Sequence, residues 1–269
     1  MPPFDPPLTV DEIASCFSDF NNIESIKIGG QGEVFRASNA SFGECALKIY
    51  SPQSEVRVQR EVDTLRILDH PNIIKLIQHD KIMIRGNLCH YTITPFIRGK
   101  DLQKLVCEND LLSEDDAKRF LILMSDALIA IWSERIVHRD IKPANILKKR
   151  DGTFILIDLG IARHLDMTTY TRWGQWLGTR GYMSPEQAFA QKNLTVKSDV
   201  FSLGITCFEV FCGRHPFLHD QNNIMQNVSP PKAKDLVSCS SRLSDLLEQM
   251  MQNRAVFRPK PSEIIDVLR

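Results

Sequence analysis

The sequence lacks cysteines in the arrangements that form disulfide frameworks or metal sites. Its seven cysteines are odd in number and form neither a C-x-x-C pair nor a Cys/His cluster. This pattern argues against both a disulfide framework and a zinc site. Reduced thiols in a reducing compartment are the simpler interpretation, and we expect a cytoplasmic protein.

Long apolar runs and net charge are also missing. No run reaches the roughly 18 apolar residues that cross a bilayer, and the stretch 120–132 is interrupted by Ser125 and Asp126. The Pro-rich segment 1–9 lacks the charged and then apolar pattern of a signal peptide. Lys plus Arg and Asp plus Glu number 33 each. We therefore expect no membrane segment in this chain and no nucleic acid as a partner.

The spacing of apolar residues changes along the 269 residues, from a strand-like to a helix-like period. Apolar residues with a period of two surround glycines in 26–47, and the segments 75–84 and 88–97 favour further strands. A period near 3.6 predicts helices, which we place at 10–20, 55–68, from Ser113 onward, 200–211, 243–251 and 262–268. Strands followed by helices predict an α+β fold with two lobes and a cleft between them, joined near 94–100.

The most specific motif is the string His-Arg-Asp-Ile-Lys-Pro-Ala-Asn at 138–145. Phosphoryl transfer needs positioning and charge neutralisation more than covalent help from the protein. A carboxylate must accept or orient the proton of the attacking hydroxyl, and Asp140 fits that role. A further oxygen ligand must hold Mg²⁺ on the phosphates, and Asn145 fits it. Asp158, just past the apolar run 154–157 and followed by Gly160, suits a second metal ligand.

Lys48 lies in an apolar strand, where an unpaired ammonium group is costly to bury. A phosphate and a carboxylate could both compensate it, and we favour Glu61 over Glu55 because Glu61 lies in mid-helix. A lysine on an edge strand that points to solvent is the alternative. The cluster 29–32, Gly-Gly-Gln-Gly, is a candidate phosphate-covering turn, because glycine lets backbone N–H groups approach phosphate closely.

In this order, the motifs resemble the signature set of protein kinases over about 26–269. The segment 178–186 is similar to the substrate-docking segment that ends in Ala-Pro-Glu in this family. The sequences of 138–145 and 184–187 resemble those of bacterial Ser/Thr kinases of the eukaryotic (Hanks) type. The resemblance implies a bilobal kinase fold with a small strand-rich N-lobe carrying one main helix and a larger helical C-lobe. It also implies a lead-in at 1–25, an N-lobe at 26–94, a hinge at 95–100 and a C-lobe at 101–269.

The resemblance also implies residue roles. Asp140 would be the catalytic base, Lys142 would touch the γ-phosphate, and Lys48, fixed by Glu61, would grip the α- and β-phosphates. Asn145 and Asp158 would hold Mg²⁺ or Mn²⁺. ATP would also contact Lys27, Ile28, Gly29, Gly30, Gln31, Gly32, Val34, Ala46, Thr94, Pro95, Ile97, Asp101 and Leu147. Thr179 would dock substrate, Asp199 would brace the catalytic loop, and Arg258 would pair with Glu186.

Three positions depart from the family pattern. Lys27 stands where the family has its first loop glycine, Leu159 replaces the usual Phe, and Ser184 replaces Ala. The first departure predicts a stiffer loop with altered ATP affinity. The other two keep an apolar plug and a small residue.

The threonines between Asp158 and Glu186 are candidate autophosphorylation sites, with Thr171 first and Thr169 and Thr168 next. A solvated polar loop is the alternative. The expected activity is transfer of the γ-phosphate of ATP to Ser or Thr hydroxyls of protein substrates, without narrow specificity, with a homodimer as a means of phosphorylation in trans. Two other functions stay open, a pseudokinase without turnover and a phosphotransferase acting on small molecules.

Overall fold

The structure is a computed structural model, and it describes residues 3–159, 163–164, 178–191 and 193–269. The chain divides into two compact units. The first runs up to Asp69 and resumes over Ile74–Arg98, and the second comprises His70–Ile73 and the chain from Gly99 onward.

The first unit is built on a five-stranded antiparallel sheet. Its strands are β1 (Phe20–Ile28), β2 (Gly32–Asn39), β3 (Gly43–Tyr50), β4 (Gln78–Ile84) and β5 (Asn87–Pro95), in the order β1-β2-β3-β5-β4. Two helices accompany the sheet, α1 (Val10–Cys16) and α2 (Glu55–Ile67).

The two faces of this sheet have different neighbours. Phe35 on β2 lies opposite Leu47 on β3, which lies opposite Ile93 on β5, and all three are buried in the apolar core of the unit. Residues one position away point to the other face, since side chains alternate along a strand. On that second face Val34 lies opposite Lys48.

The N-terminal helix is shorter than the sequence indicates. The periodicity predicts a helix over 10–20, but α1 ends at Cys16 and Phe20 already pairs with Asn39 at the start of β1. Thr9 and Glu12 form the capping box that begins the helix. Phe17 and Phe20 then pack edge to face with ring centroids 5.6 Å apart. Burial of both rings against the sheet therefore outweighs continued helical periodicity.

The second unit is mainly helical. Its helices are α3 (Leu102–Cys107), α4 (Glu114–Ser133), α5 (Pro185–Ala188), α6 (Val196–Cys212), α7 (Gln221–Met225), α8 (Ser241–Met250) and α9 (Pro261–Leu268). Short strands complete it, β6 (Gly99–Asp101), β7 (Ile136–Val137), β8 (Ile146–Lys149), β9 (Phe154–Leu156) and β10 (Arg163–His164). These form one sheet in the order β6-β8-β9 and a pair of β10 with β7.

The long helices of this unit lie near their predicted positions, but α6 begins at Val196 instead of residue 200, because Thr195 caps it ahead of the apolar run by accepting from the N–H of Lys197. Ser113 caps α4 by accepting a hydrogen bond from the backbone N–H of Asp116 at 3.2 Å. α6 is buried along nearly its whole length and ends at Gly213, whose φ of 72° is the left-handed conformation that glycine adopts at low cost. The strand-rich first unit and helical second unit confirm the predicted α+β class.

Among the described residues, no helix combines the length and the apolar character needed to cross a membrane.

Candidate functional site

Lys48 and Glu61 form an ion pair within the first unit. Lys48 Nζ lies 2.9 Å from Glu61 Oε1 and 3.2 Å from Oε2. The Glu61 side chain is only 4% exposed and that of Lys48 is 20% exposed, so each charge compensates the other where water cannot. Glu55, the competing candidate, instead lies 3.2 Å from Lys81 Nζ and 3.7 Å from His90 Nε2.

Several predicted nucleotide-binding residues share one sheet face with Lys48. Val34 lies opposite Lys48 across the β2–β3 pair, and Ala46 lies opposite Thr94 across the β3–β5 pair. All four are half-buried, whereas the other face of the same strands is fully covered. Pro95 is the last residue of β5, and the half-buried Ile97 lies two positions after it. This face combines apolar surface with the ammonium group of Lys48, and with Arg36, which lies opposite Ala46 and is paired with Glu44.

The glycine-rich turn between β1 and β2 is closed by backbone hydrogen bonds. The N–H of Gly29 donates to the carbonyl of Gly32 at 2.9 Å, and the N–H of Ser51 donates to that of Gln31 at 3.0 Å. A Cβ on Gly32 would lie 2.2 Å from the carbonyl oxygen of Ile49. Close approach to β3, rather than an unusual φ, therefore requires glycine at position 32. Lys27 and Ile28, just before the turn, and Gly30 within it are exposed.

In the second unit, hydrogen bonds converge on the Asp140 carboxylate. Oδ1 accepts from the N–H and hydroxyl of Thr179 at 2.9 and 2.7 Å. Oδ2 lies 2.7 Å from Lys142 Nζ and accepts from Asn145 Nδ2 at 3.1 Å. These four donors fix the position of both oxygens, although Thr179 and Asp140 are 39 positions apart.

Asp199, buried in α6, holds the backbone of the same loop. Its two carboxylate oxygens accept from the N–H groups of His138 and Arg139 at 2.9 and 2.8 Å. Burial raises the pKa of Asp199 to about 7, although these two hydrogen bonds act against the rise. Arg139 has a φ of 74°, a left-handed conformation that is uncommon outside glycine. The two hydrogen bonds, with one from Gln187 Nε2 to the Arg139 carbonyl at 3.0 Å, stabilise that conformation.

A backbone hydrogen bond joins Asn145 to the residue that precedes Asp158. Asn145 lies in a short 3₁₀ turn (Pro143–Asn145), and its carbonyl accepts from the N–H of Ile157 at 3.0 Å, one residue before Asp158. Asn145 Nδ2 also donates to the backbone carbonyl of Asp140 at 3.0 Å, which leaves Oδ1 as the amide atom suited to a cation. Amide and carboxylate oxygens are the ligands that Mg²⁺ prefers.

Asp101 and Leu147 are neighbours in the small sheet of the second unit. They lie opposite each other across the β6–β8 pair. Asp101 also caps α3, because its Oδ1 accepts from the N–H of Lys104 at 2.8 Å. Its second oxygen remains the one suited to a ribose hydroxyl.

Glu186 and Arg258 form a buried bidentate pair. Arg258 donates to the two oxygens of Glu186 at 2.6 and 2.9 Å, and Ser198 Oγ adds a third hydrogen bond at 2.7 Å. Burial opposes the charge on Glu186, but the Arg258 guanidinium outweighs it and holds the pKa of Glu186 below its ordinary value. Arg258 also donates to the backbone carbonyls of Gln252, Asn253 and Lys197.

The predicted phosphorylation sites Thr168, Thr169 and Thr171 lie outside the described residues, as does Gly160.

One polar cluster was not found from the sequence. Glu209, the only charged residue in the apolar run 200–211, accepts from the Tyr182 hydroxyl at 2.5 Å and lies 3.2 Å from His219 Nε2. Potential ligand atoms of Glu209, His215 and His219 all lie within 4.8 Å of one another, as in a metal site. However, His215 Nδ1 accepts from the N–H groups of Phe217 and His219 at 3.1 and 3.0 Å. Neutral His215 then carries its proton on Nε2, which disfavours a metal there.

The buried imidazole of His215 is expected to lower the free energy of unfolding as the solution becomes acidic. Burial lowers its pKa to about 3, from 6.5 in the unfolded chain. The unfolded state therefore takes up the proton first, and the stabilising contribution present above pH 6.5 is lost as the pH falls toward 3. We expect the wild type to lose about 2 kcal/mol of unfolding free energy between pH 8 and pH 5 through this group.

The matched variant is His215→Asn, because asparagine Oδ1 can replace Nδ1 as the acceptor for both backbone N–H groups. Urea unfolding at pH 8 and pH 5 measures the difference. The variant should lose less stability than the wild type over this interval. Equal losses for both proteins would show that His215 is not the group responsible.

Known proteins that are similar to this chain were compared with the geometry described above, and they agree with it. The model of the protein kinase domain matches residues 20–267. Among curated relatives, the probable serine/threonine-protein kinase PknB of Lactococcus lactis is 31% identical over 215 residues, 77% of this chain and 34% of the relative. PrkC of Bacillus subtilis is 35% identical over 70% of this chain and 30% of its own length, and PknA of Mycobacterium tuberculosis is 30% identical over 72% and 47%.

The chain spans about a third of the length of the first of these relatives. The match to the kinase model covers all the motifs described above, from the glycine-rich turn to Arg258. The chain therefore belongs to the protein kinase family, as a Hanks-type serine/threonine kinase catalytic domain similar to those of bacteria.

Proposed function

We propose that this chain transfers the γ-phosphate of ATP to Ser and Thr hydroxyls of proteins. The observation that carries the proposal is the Asp140 carboxylate, held by Thr179, Asn145 and Lys142 at 2.7–3.1 Å. A carboxylate fixed in this way can accept the proton of an attacking hydroxyl without first reorganising. Lys142, 2.7 Å from Asp140, supplies a cation for the charge that develops on the transferred phosphoryl group.

The ATP-binding part of the proposal rests on residues of the first unit. Lys48, oriented by Glu61, offers an ammonium group to the α- and β-phosphates. The half-buried Val34 and Ala46 on the same sheet face offer apolar surface to the adenine ring. The turn at 29–32 has the compact glycine backbone that can cover phosphates.

Protein kinases generally use ATP with a divalent metal ion, and the residues of this chain fit Mg²⁺, with Mn²⁺ as an alternative. Asn145 Oδ1 and the carboxylate of Asp158 are hard oxygen donors. Bound there, the metal would neutralise phosphate charge. The contribution of the chain is to hold Asn145 through its two hydrogen bonds to Asp140.

We propose further that activation depends on autophosphorylation at Thr171, with Thr169 and Thr168 as secondary sites, and that a homodimer carries it out in trans. Arg139 neighbours the catalytic Asp140 in sequence and would pair with the phosphate. Mass spectrometry after incubation with ATP would locate the phosphates. A Thr171→Ala variant that is labelled and activated like the wild type would refute the site.

The cytoplasmic location also remains a proposal. It is supported by seven cysteines that are all thiols in the structure. Cell fractionation of the native host with an antibody against this chain would test it.

One experiment separates kinase, pseudokinase and small-molecule phosphotransferase. Purified protein is incubated with γ-labelled ATP, Mg²⁺ and casein, and in parallel with a mixture of small metabolites. The proposal predicts label on protein that disappears with Asp140→Asn. No label with either protein would indicate a pseudokinase, and label confined to a metabolite would indicate the third function.

A further inference from the structure

An N-terminal segment, residues 3–17, covers one face of the first-unit sheet, and we call it the strap. Phe4, Leu8, Ile13 and Phe17 of the strap are buried in the same apolar core as Phe35 of β2. The covered face is the one opposite Val34 and Lys48, because Phe35 alternates with Val34 along β2. The strap therefore contacts the back of the strands that carry the proposed ATP-binding face.

Polar contacts hold the strap in one register. Arg85, in the turn between β4 and β5, donates to the carbonyls of Pro6 and Pro7 at 2.5 and 3.1 Å. The same guanidinium donates to the carboxylate of Glu12 at 2.6 and 2.8 Å. Side-chain hydrogen bonds to Arg85 are the main cause that lowers the pKa of Glu12 to about 2. The backbone at Pro6 to Leu8 is thus fixed relative to the sheet.

Glu33 connects the strap to the glycine-rich turn. It follows Gly32 directly on β2, is 1% exposed, and its Oε2 accepts from the N–H of Leu8 at 3.0 Å. Its Oε1 is buried without a hydrogen-bond partner among the residues that the structure describes. A buried carboxylate with one unsatisfied oxygen is costly. An apolar side chain would avoid that cost, but it would leave the Leu8 N–H without this acceptor.

We propose that Glu33 is a positioning residue for ATP binding, which holds the start of β2 through the Leu8 N–H and so fixes the turn at 29–32. The ligand is the triphosphate of the nucleotide, and the inference rests on the proposed use of ATP. Gly32, the residue before Glu33, accepts the hydrogen bond from the Gly29 N–H that closes the turn, so a shift of β2 at Glu33 moves the turn with it. Val34, the next residue, lies on the proposed adenine face.

The test separates the Leu8 N–H from the Leu8 side chain. Leu8→Pro removes the donor to Glu33, whereas Leu8→Ala keeps the donor and loses apolar contact. In the proline variant the turn is no longer held through Leu8 and must be ordered when Mg·ATP binds. We expect this ordering to cost about as much as the lost hydrogen bond, which corresponds to a Kd about tenfold higher. The alanine variant should melt at a lower temperature but keep the wild-type Kd. KM for ATP should rise in the proline variant with little change in kcat.

A second readout needs no nucleotide. Amide hydrogen exchange is measured at Gly29, which donates to Gly32, and at Ser51, which donates to Gln31. Both amides should exchange faster in Leu8→Pro than in Leu8→Ala. Glu33→Leu, which removes the acceptor, should resemble the proline variant, and Glu33→Gln, which keeps an acceptor oxygen, should retain the protection.

The two readouts keep the inference distinct from the proposed function. If the wild type binds no ATP, the proposed function fails, but faster exchange in the proline variant would still support the contact between strap and turn. Equal exchange at Gly29 and Ser51 in the proline and alanine variants would overturn the inference, whatever their ATP affinities. If Leu8→Pro does not fold, Glu33→Leu compared with Glu33→Gln decides the question in the same way.

Discussion

Replacing Asp140 by asparagine is expected to lower kcat for phosphoryl transfer by about a hundredfold to ten-thousandfold, the range for loss of a general base. Asparagine keeps the shape of the side chain, and its single oxygen can still accept from Thr179. Its NH₂ group, however, would face the donors Lys142 Nζ and Asn145 Nδ2, which now surround Oδ2. The variant therefore loses both the proton acceptor and one half of the hydrogen-bond arrangement.

The matched control is Asp266→Asn, the same chemical change at an exposed position of α9. Initial rates at saturating ATP and casein measure kcat, and circular dichroism checks that both variants are folded. We expect the control to retain wild-type kcat. A folded Asp140→Asn protein with kcat within about threefold of the wild type, a change of less than 1 kcal/mol in the barrier, would exclude Asp140 as the base.

Replacing Arg258 by leucine is expected to have the largest effect on stability. The Arg258 side chain is fully buried, and its loss would leave the Glu186 carboxylate buried without its cation. Breaking one partner of a buried ion pair costs about 3–5 kcal/mol. Three backbone carbonyls, those of Gln252, Asn253 and Lys197, would lose their donors at the same time.

Urea unfolding of the wild type, Arg258→Leu and Arg254→Leu measures this cost. Arg254 is exposed and stacks on Phe257 with its guanidinium 5.1 Å from the ring centre, so its loss should cost less than about 1 kcal/mol. The double variant Glu186→Leu/Arg258→Leu should recover part of the stability, because no charge is left unpaired. A cost below about 1 kcal/mol for Arg258→Leu would mean that the pair does not stabilise the second unit.

The regular elements are largely readable from sequence, because local patterns determine them. The helix predicted at 55–68 is observed as Glu55–Ile67, and Ser113 caps α4 as its position before three acidic residues indicates. The strand predicted from residue 75 begins only at Gln78. Strand limits depend on pairing with a neighbour, which the periodicity of one segment does not contain.

The candidate site is readable only in part. The motif at 138–145 predicts which side chains carry the chemistry, but not that Thr179, 39 positions away, donates twice to Asp140. The Glu33 contact with Leu8 and the cluster at Glu209 join segments that are distant in sequence. A single charged residue in an apolar run, such as Glu209, is the signal that could have directed attention there.

The most direct test follows the phosphoryl group itself. The wild type is incubated with casein, Mg²⁺ and ATP labelled either at the γ- or at the α-phosphorus, and the labelled protein is hydrolysed to separate its phosphoamino acids. We expect phosphoserine and phosphothreonine labelled from the γ-position alone. Label delivered from the α-position, or label found only as phosphotyrosine, would contradict the assignment of this chain to γ-phosphoryl transfer onto Ser and Thr.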